Sequence, residues 1–174
     1  MPRRTLAAIA SLALLSGCDA VGLSPIGVAG DTAPASQSLA AQCAGDPAQA
    51  QAMQDAVNAA RSVEGKITLV NNPRLAEIAQ SHACDMVRMG QATVAGSNGS
   101  NVVDRARAVG YPSCGVVQLV TVGGDPAGVV NGWLTSQPHR EQVLGQLSTD
   151  IGAGMTTGHD GRRWWSVVMG HDCR

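Results

Sequence analysis

Five side chains are candidates for chemistry. Ser136 and His139 lie three residues apart, with Arg140 beside the histidine. A serine next to an imidazole is the minimum for a general-base-activated nucleophile, but spacing alone is weak support for a dyad. No serine sits in a G-x-S-x-G setting; Gly96-Ser97-Asn98-Gly99 does not fit it. No two carboxylates show the spacing of a glycosidase pair. Gln118 could donate a hydrogen bond to a substrate, so Ser136, His139 and Gln118 stand as the catalytic candidates. The fifth is Cys18, after Leu15-Ser16-Gly17, where the expected chemistry is lipidation.

The segment around Cys18 explains that expectation. Arg3 and Arg4 precede an apolar run from Leu6 to Leu15, the layout of a secretory signal. The run is too short to be a permanent membrane span. Leu15-Ser16-Gly17-Cys18 resembles the lipobox of bacterial lipoproteins. The resemblance implies cleavage before Cys18, a diacylglyceryl thioether on its sulfur and acylation of the new amino group. Two or three acyl chains hold a protein to a membrane far more firmly than one. The address is then extracytoplasmic, in the periplasm or at the cell surface.

Residues 1–17 are thus read as signal, 18–45 as lipidated cysteine and flexible tether, and 46–174 as one folded domain. The tether is rich in Ala, Ser, Gly and Pro and nearly free of charge. The domain is of ordinary single-domain size. Net charge is −1, with Lys and Arg scattered, which argues against a nucleic-acid partner. There is no Phe and one Tyr, so Val, Leu, Ile, Ala, Met and Trp must build the core.

Five cysteines minus Cys18 leave Cys43, Cys84, Cys114 and Cys173. An even number in an exported domain suggests two disulfides, with three connectivities open. The preferred pairing is Cys84–Cys114 with Cys43–Cys173, which would tie the domain's two ends together. No C-x-x-C pair points to a zinc ribbon.

The elements that must position these residues follow from periodicity and breakers. Asp46-Pro47 opens a helix that Gly65 ends, with Met53, Val57 and Ala60 on one face. Asn72-Pro73 opens a second, stopped by Gly90. Gln91 to Gly99 is loop, and Val102 to Val109 a short helix. Val116 to Val122 reads as a strand, Asp125-Pro126 opens a helix through Trp133, and Pro138 to Leu144 is another. Ile151–Thr157 and Arg162–Met169 flank Gly158-His159-Asp160-Gly161 as a hairpin. Helices first and strands late suggest an α+β domain.

The order of motifs resembles one family. Asn58-Ala59-Ala60-Arg61 resembles its N-x-x-R opening. His82-Ala83-Cys84-Asp85-Met86, Gly96-Ser97-Asn98-Gly99-Ser100, Arg105 and Gly110-Tyr111 follow in its order. Trp133 to Leu144 resembles its W-x-x-S-x-x-H-R-x-x-(I/V)-L motif, and Ile151-Gly152-Ala153-Gly154 its penultimate strand. The chain is similar to the bacterial branch of the CAP superfamily, the cysteine-rich secretory, antigen 5 and pathogenesis-related 1 proteins, also called SCP domains. This implies a three-layer α-β-α sandwich with a mostly antiparallel sheet and a shallow central cleft. Cleft positions carried over by the resemblance are Val94, Gln118, His139 and Arg140. In many members two histidines and acidic residues there can bind a divalent metal. Here Val94 stands where a histidine is usual and Gln118 where a glutamate is usual. Zinc sites need three or four His, Cys, Asp or Glu ligands, so no metal or other cofactor is expected. The reading is a degenerate, non-enzymatic CAP domain binding an apolar small molecule or an envelope protein through its cleft. The alternative is a hydrolase of peptide or envelope material using His139.

Overall fold

The structure, a computed structural model, describes residue 39 and residues 42–173. The signal segment, Cys18 and most of the tether lie outside the described residues.

Helix α1 (Pro47–Val63) starts where Asp46 accepts from the Gln49 N–H and Pro47 takes the first turn. A two-residue strand β1 (Val70–Asn71) follows, then α2 (Pro73–Met89), capped by Asn72 and closed by Gly90 in the left-handed region. α3 (Val102–Ala108) opens with a reciprocal capping box between Asn101 and Asp104. Next come β2 (Ser113–Val122), α4 (Pro126–Thr135), α5 (Gln137–Val143), β3 (Asp150–Thr157) and β4 (Arg163–Asp172). Every element expected from the sequence is present. β1 was not expected: two residues are too few to show alternation.

The sheet order is β1-β3-β4-β2. β2 and β3 both pair antiparallel with β4, while β1 pairs parallel with β3. The sheet is therefore mixed, with antiparallel pairing dominant. Strand alternation sends Leu119, Ile151, Ala153, Met155, Trp165, Val167 and Met169 to one face. There they form a core with Met53 and Val57 of α1, Val129, Val130 and Trp133 of α4, and Val143 of α5. Val168 faces the other way, with Leu75, Ile78 and Ala79 of α2, Ala106 of α3 and Tyr111. The result is an α-β-α sandwich: α1, α4 and α5 on one face, α2 and α3 on the other. Leu39 packs against the second cluster.

Glycine decides how closely α2 lies on the sheet. A Cβ on Gly152 would stand 2.0 Å from the Ala76 nitrogen, and one on Gly154 2.3 Å from the Gln80 nitrogen. The Ile151-Gly152-Ala153-Gly154 motif thus has a packing reason. Its even positions face the helix backbone, and its odd positions fill the opposite core.

The disulfides differ from the preferred pairing: they join Cys43 to Cys84 and Cys114 to Cys173, not Cys84 to Cys114 and Cys43 to Cys173. Strand register is the reason. Gly115 lies opposite His171 and Ser113 opposite Asp172, so Cys114 and Cys173 share one end of the β2/β4 ladder. Cys43 is left for Cys84 on α2. The domain thereby takes in residues assigned to the tether: Ala44 O accepts from the Thr156 hydroxyl, next to the Cys43 staple.

Candidate functional site

One cluster of buried polar groups is tied to the 93–100 loop. Arg105 comes from α3, Gln118 from β2, Ser166 from β4, and His82 and Asp85 from α2; all are buried. Arg105 Nη1 donates to the Ser100 carbonyl and hydroxyl. Its Nη2 donates to the Val94 carbonyl at 2.7 Å and to Gln118 Oε1 at 2.5 Å. Gln118 Nε2 in turn donates to Ser166 Oγ at 2.8 Å. Burial pulls the Arg105 pKa down to about 10, against the pull of Asp85 and Asp104, so it stays a cation at neutral pH.

Asp85 holds the loop from the other side. It accepts from the Ser97 N–H and hydroxyl and from Arg88. Burial alone would raise its pKa; the Ser97 bonds and Arg88 together outweigh that and lower it. His82 Nε2 stands 2.6 Å from Thr93 O, and a carbonyl only accepts, so Nε2 carries the proton. Burial pushes the ring's pKa down to about 4, with the Arg105 charge adding to the effect. His82 is a neutral pin for the loop.

Arg105 therefore joins two of the four expected cleft positions, Val94 and Gln118. His139 and Arg140 are elsewhere. They lie on α5, whose Val143 enters the core on the opposite face, and His139 is exposed. Among the described residues no hydrogen bond links His139 to Ser136 or Gln118, and Arg140 pairs with Glu64 of α1. On β2, Val117 and Leu119 face α5's layer. One step along a strand changes the face, and Gln118 takes the other one. Among the described residues no group of three or more His, Cys, Asp or Glu lies close enough to hold a metal.

The profile of the cysteine-rich secretory protein family, CAP, matches residues 54–169. The chain belongs to the CAP family.

Solved structures agree on the fold. An outer surface protein of Borrelia burgdorferi is similar with a TM-score of 0.65 at 18% identity, covering 70% of this chain and 91% of that one. An SCP-domain extracellular protein of Bacillus anthracis gives 0.65 at 20%, covering 72% and 41%. A cysteine-rich secretory protein of Staphylococcus aureus gives 0.60 at 18%, covering 72% and 39%. The chain thus spans about two fifths of the latter two. No curated protein matches the chain.

Within this CAP domain the N-x-x-R opening is structural. Asn58 donates to Leu69 O and accepts from Leu69 N, pairing with the residue before β1 as a strand neighbour would. Fully buried Arg61 donates to the carbonyls of Ile67, Val143 and Gly145. Two of those carbonyls end α5, where a cation is favourable. A cation ending α5 was not foreseen, because a buried arginine bonded only to carbonyls leaves no sequence pattern of its own.

One open feature of the CAP domain is apolar. A pocket of about 280 Å³ is lined by Cys114, Gly115, Val116, Val117, Leu147, Ser148 and His171. Leu147 at its edge is 84% exposed. Cys114 was expected in a disulfide and Val116 and Val117 in a strand, but none of the lining residues was expected to form a ligand site. The only signal was Leu147 itself, an apolar residue in a turn after Gly145.

Proposed function

We propose that this CAP domain works by binding an apolar small molecule, without metal and without catalysis. The observation that carries the reading is the pocket beside β2, apolar along Val116, Val117 and Leu147, with His171 and Ser148 as polar handles. Ligand sites are usually concave and apolar with a few polar groups, and about 280 Å³ is near the small end of their range. Val116, Val117 and Leu147 together give the pocket a contiguous apolar wall, the kind of surface that marks ligand-binding grooves. Supporting this, the Val94 and Gln118 positions are already committed to Arg105.

The lipobox-like segment supports export and anchoring through lipid on Cys18. The pocket would then face ligands of the cell envelope. Titration of the protein with the neutral fluorophore N-phenylnaphthylamine tests the binding. Saturable enhancement that Leu147→Asp weakens at least tenfold, with unchanged thermal stability, is the expected result. Equal enhancement in the variant would overturn the pocket assignment. For the anchor, Cys18→Ser should move the protein from the membrane to the soluble fraction; retention on the membrane would sink that part.

A further inference from the structure

Arg61 is fully buried, yet it has no carboxylate partner. Its Nε–H and both Nη1 protons go to the carbonyls of Ile67, Val143 and Gly145, and Nη2 has no partner among the described residues. A buried charge is costly unless paired, and carbonyl dipoles neutralise only part of it. Burial lowers the Arg61 pKa with no anion opposing the shift. Glu64, one turn along α1, is taken by Arg140.

Beside Arg61 lies a separate cavity of about 230 Å³, lined also by Lys66, Ile67 and Gln146. Ile67 is 60% exposed, so its side chain is free to turn aside. Two cations and no carboxylate therefore border one concavity, and Arg61 Nη2, shut off from solvent, has its N–H groups unspent. Guanidinium with ammonium is a combination suited to oxyanions: the first supplies parallel donors, the second a point charge.

We infer that this cavity is a binding site for a small oxyanion, a carboxylate or phosphate group, received by Arg61 Nη2 and Lys66. It is distinct from the apolar pocket beside β2, and the inference does not depend on that pocket. A carboxylate and a phosphate share the required chemistry; their relative affinity distinguishes them. Arg61 is also the anchor of α5, so its removal would unfold the region and test nothing. The informative variants are Lys66→Ala and Gln146→Glu. Gln146 follows Gly145, whose carbonyl already touches Arg61, so a carboxylate there would supply the missing counter-charge internally.

Calorimetric titration of the full chain with phosphate, and separately acetate, at constant ionic strength and near-neutral pH gives the test. We expect saturable binding of at least one ion, weakened about tenfold by Lys66→Ala and abolished by Gln146→Glu. In buffer without phosphate or carboxylate ions Gln146→Glu should raise the melting temperature by a few degrees. No saturable heat with either ion, equal binding in both variants, or a lower melting temperature for Gln146→Glu would each overturn the site.

Discussion

Replacing Gly152 with alanine tests how α2 is held on the sheet. The added Cβ would stand 2.0 Å from the Ala76 nitrogen and 2.1 Å from the Leu75 carbonyl carbon. Both are backbone atoms in the first turns of a helix, so no side chain can swing away. Ordinary contact needs about 3.5 Å or more, so helix and strand must part by more than 1 Å. Overpacking a core costs about 1–3 kcal/mol even where side chains yield. Here α2 would also lift Leu75, Ile78 and Ala79 from the sheet, forfeiting part of about 1.5–3 kcal/mol for each large side chain. We expect a loss of about 3–5 kcal/mol, a large share of a typical 5–15 kcal/mol stability. Gly132, inside α4, has nothing within 4 Å of its would-be Cβ. There Gly132→Ala should stabilise by about 0.5–1 kcal/mol through helix propensity. Equilibrium urea unfolding with disulfides intact, followed by tryptophan fluorescence, reads both variants. Similar midpoints for Gly152→Ala and Gly132→Ala would refute the close-approach argument.

Gln118→Leu leaves Arg105 Nη2 and Ser166 Oγ short of a partner in a buried setting, and should cost about 2–4 kcal/mol in the same unfolding assay. His82 titrates at about 4 in the fold against about 6.5 unfolded, so the unfolded chain binds the extra proton between those values. Its contribution is intact above pH ~6.5 and is lost as pH falls towards ~4, about 3 kcal/mol in all; His82→Gln should flatten that part of the stability–pH curve. Cyanogen-type or proteolytic mapping under non-reducing conditions should recover Cys43–Cys84 and Cys114–Cys173 peptides. Deleting either bridge as a Ser pair should cost about 4 kcal/mol by loop entropy, read by thermal unfolding. Zinc titration should show no tight 1:1 binding; tight binding that His139→Ala abolishes would refute the metal-free reading.

Local signals carried far in this chain. Asp46-Pro47, Asn72-Pro73 and Gly90 marked helix ends because capping is chemistry between neighbours, and each cap is where the sequence puts it. The α+β class followed from element order, and the α-β-α layering is what the family resemblance implied. What failed to show was long-range. The disulfide pairing depends on β2 lying antiparallel to β4, some fifty residues away, and nothing local records that register. The site was legible by halves. Val94 and Gln118 do meet, yet through Arg105, whose reach no spacing foretells. Whether Gln118 faces α5 turns on a single residue of strand phase, which motif matching without a sheet does not decide.

The placement of the motif residues changes what membership in the CAP family says about function. Asn58 and Arg61 secure the segment before β1 and the end of α5. Gly152 and Gly154 set the depth of α2. Asp85, His82 and Arg105 clamp the 93–100 loop. Each is engaged by the scaffold; Arg61 Nη2 and Arg105 Nε are buried N–H groups without a partner among the described residues, and Arg61 lines a cavity. These motif residues therefore hold a shape. On the proposed reading, recognition falls to positions the motifs leave unspecified, along the apolar pocket beside β2. Leu147 is such a position, and a substitution there should alter binding while leaving the fold untouched.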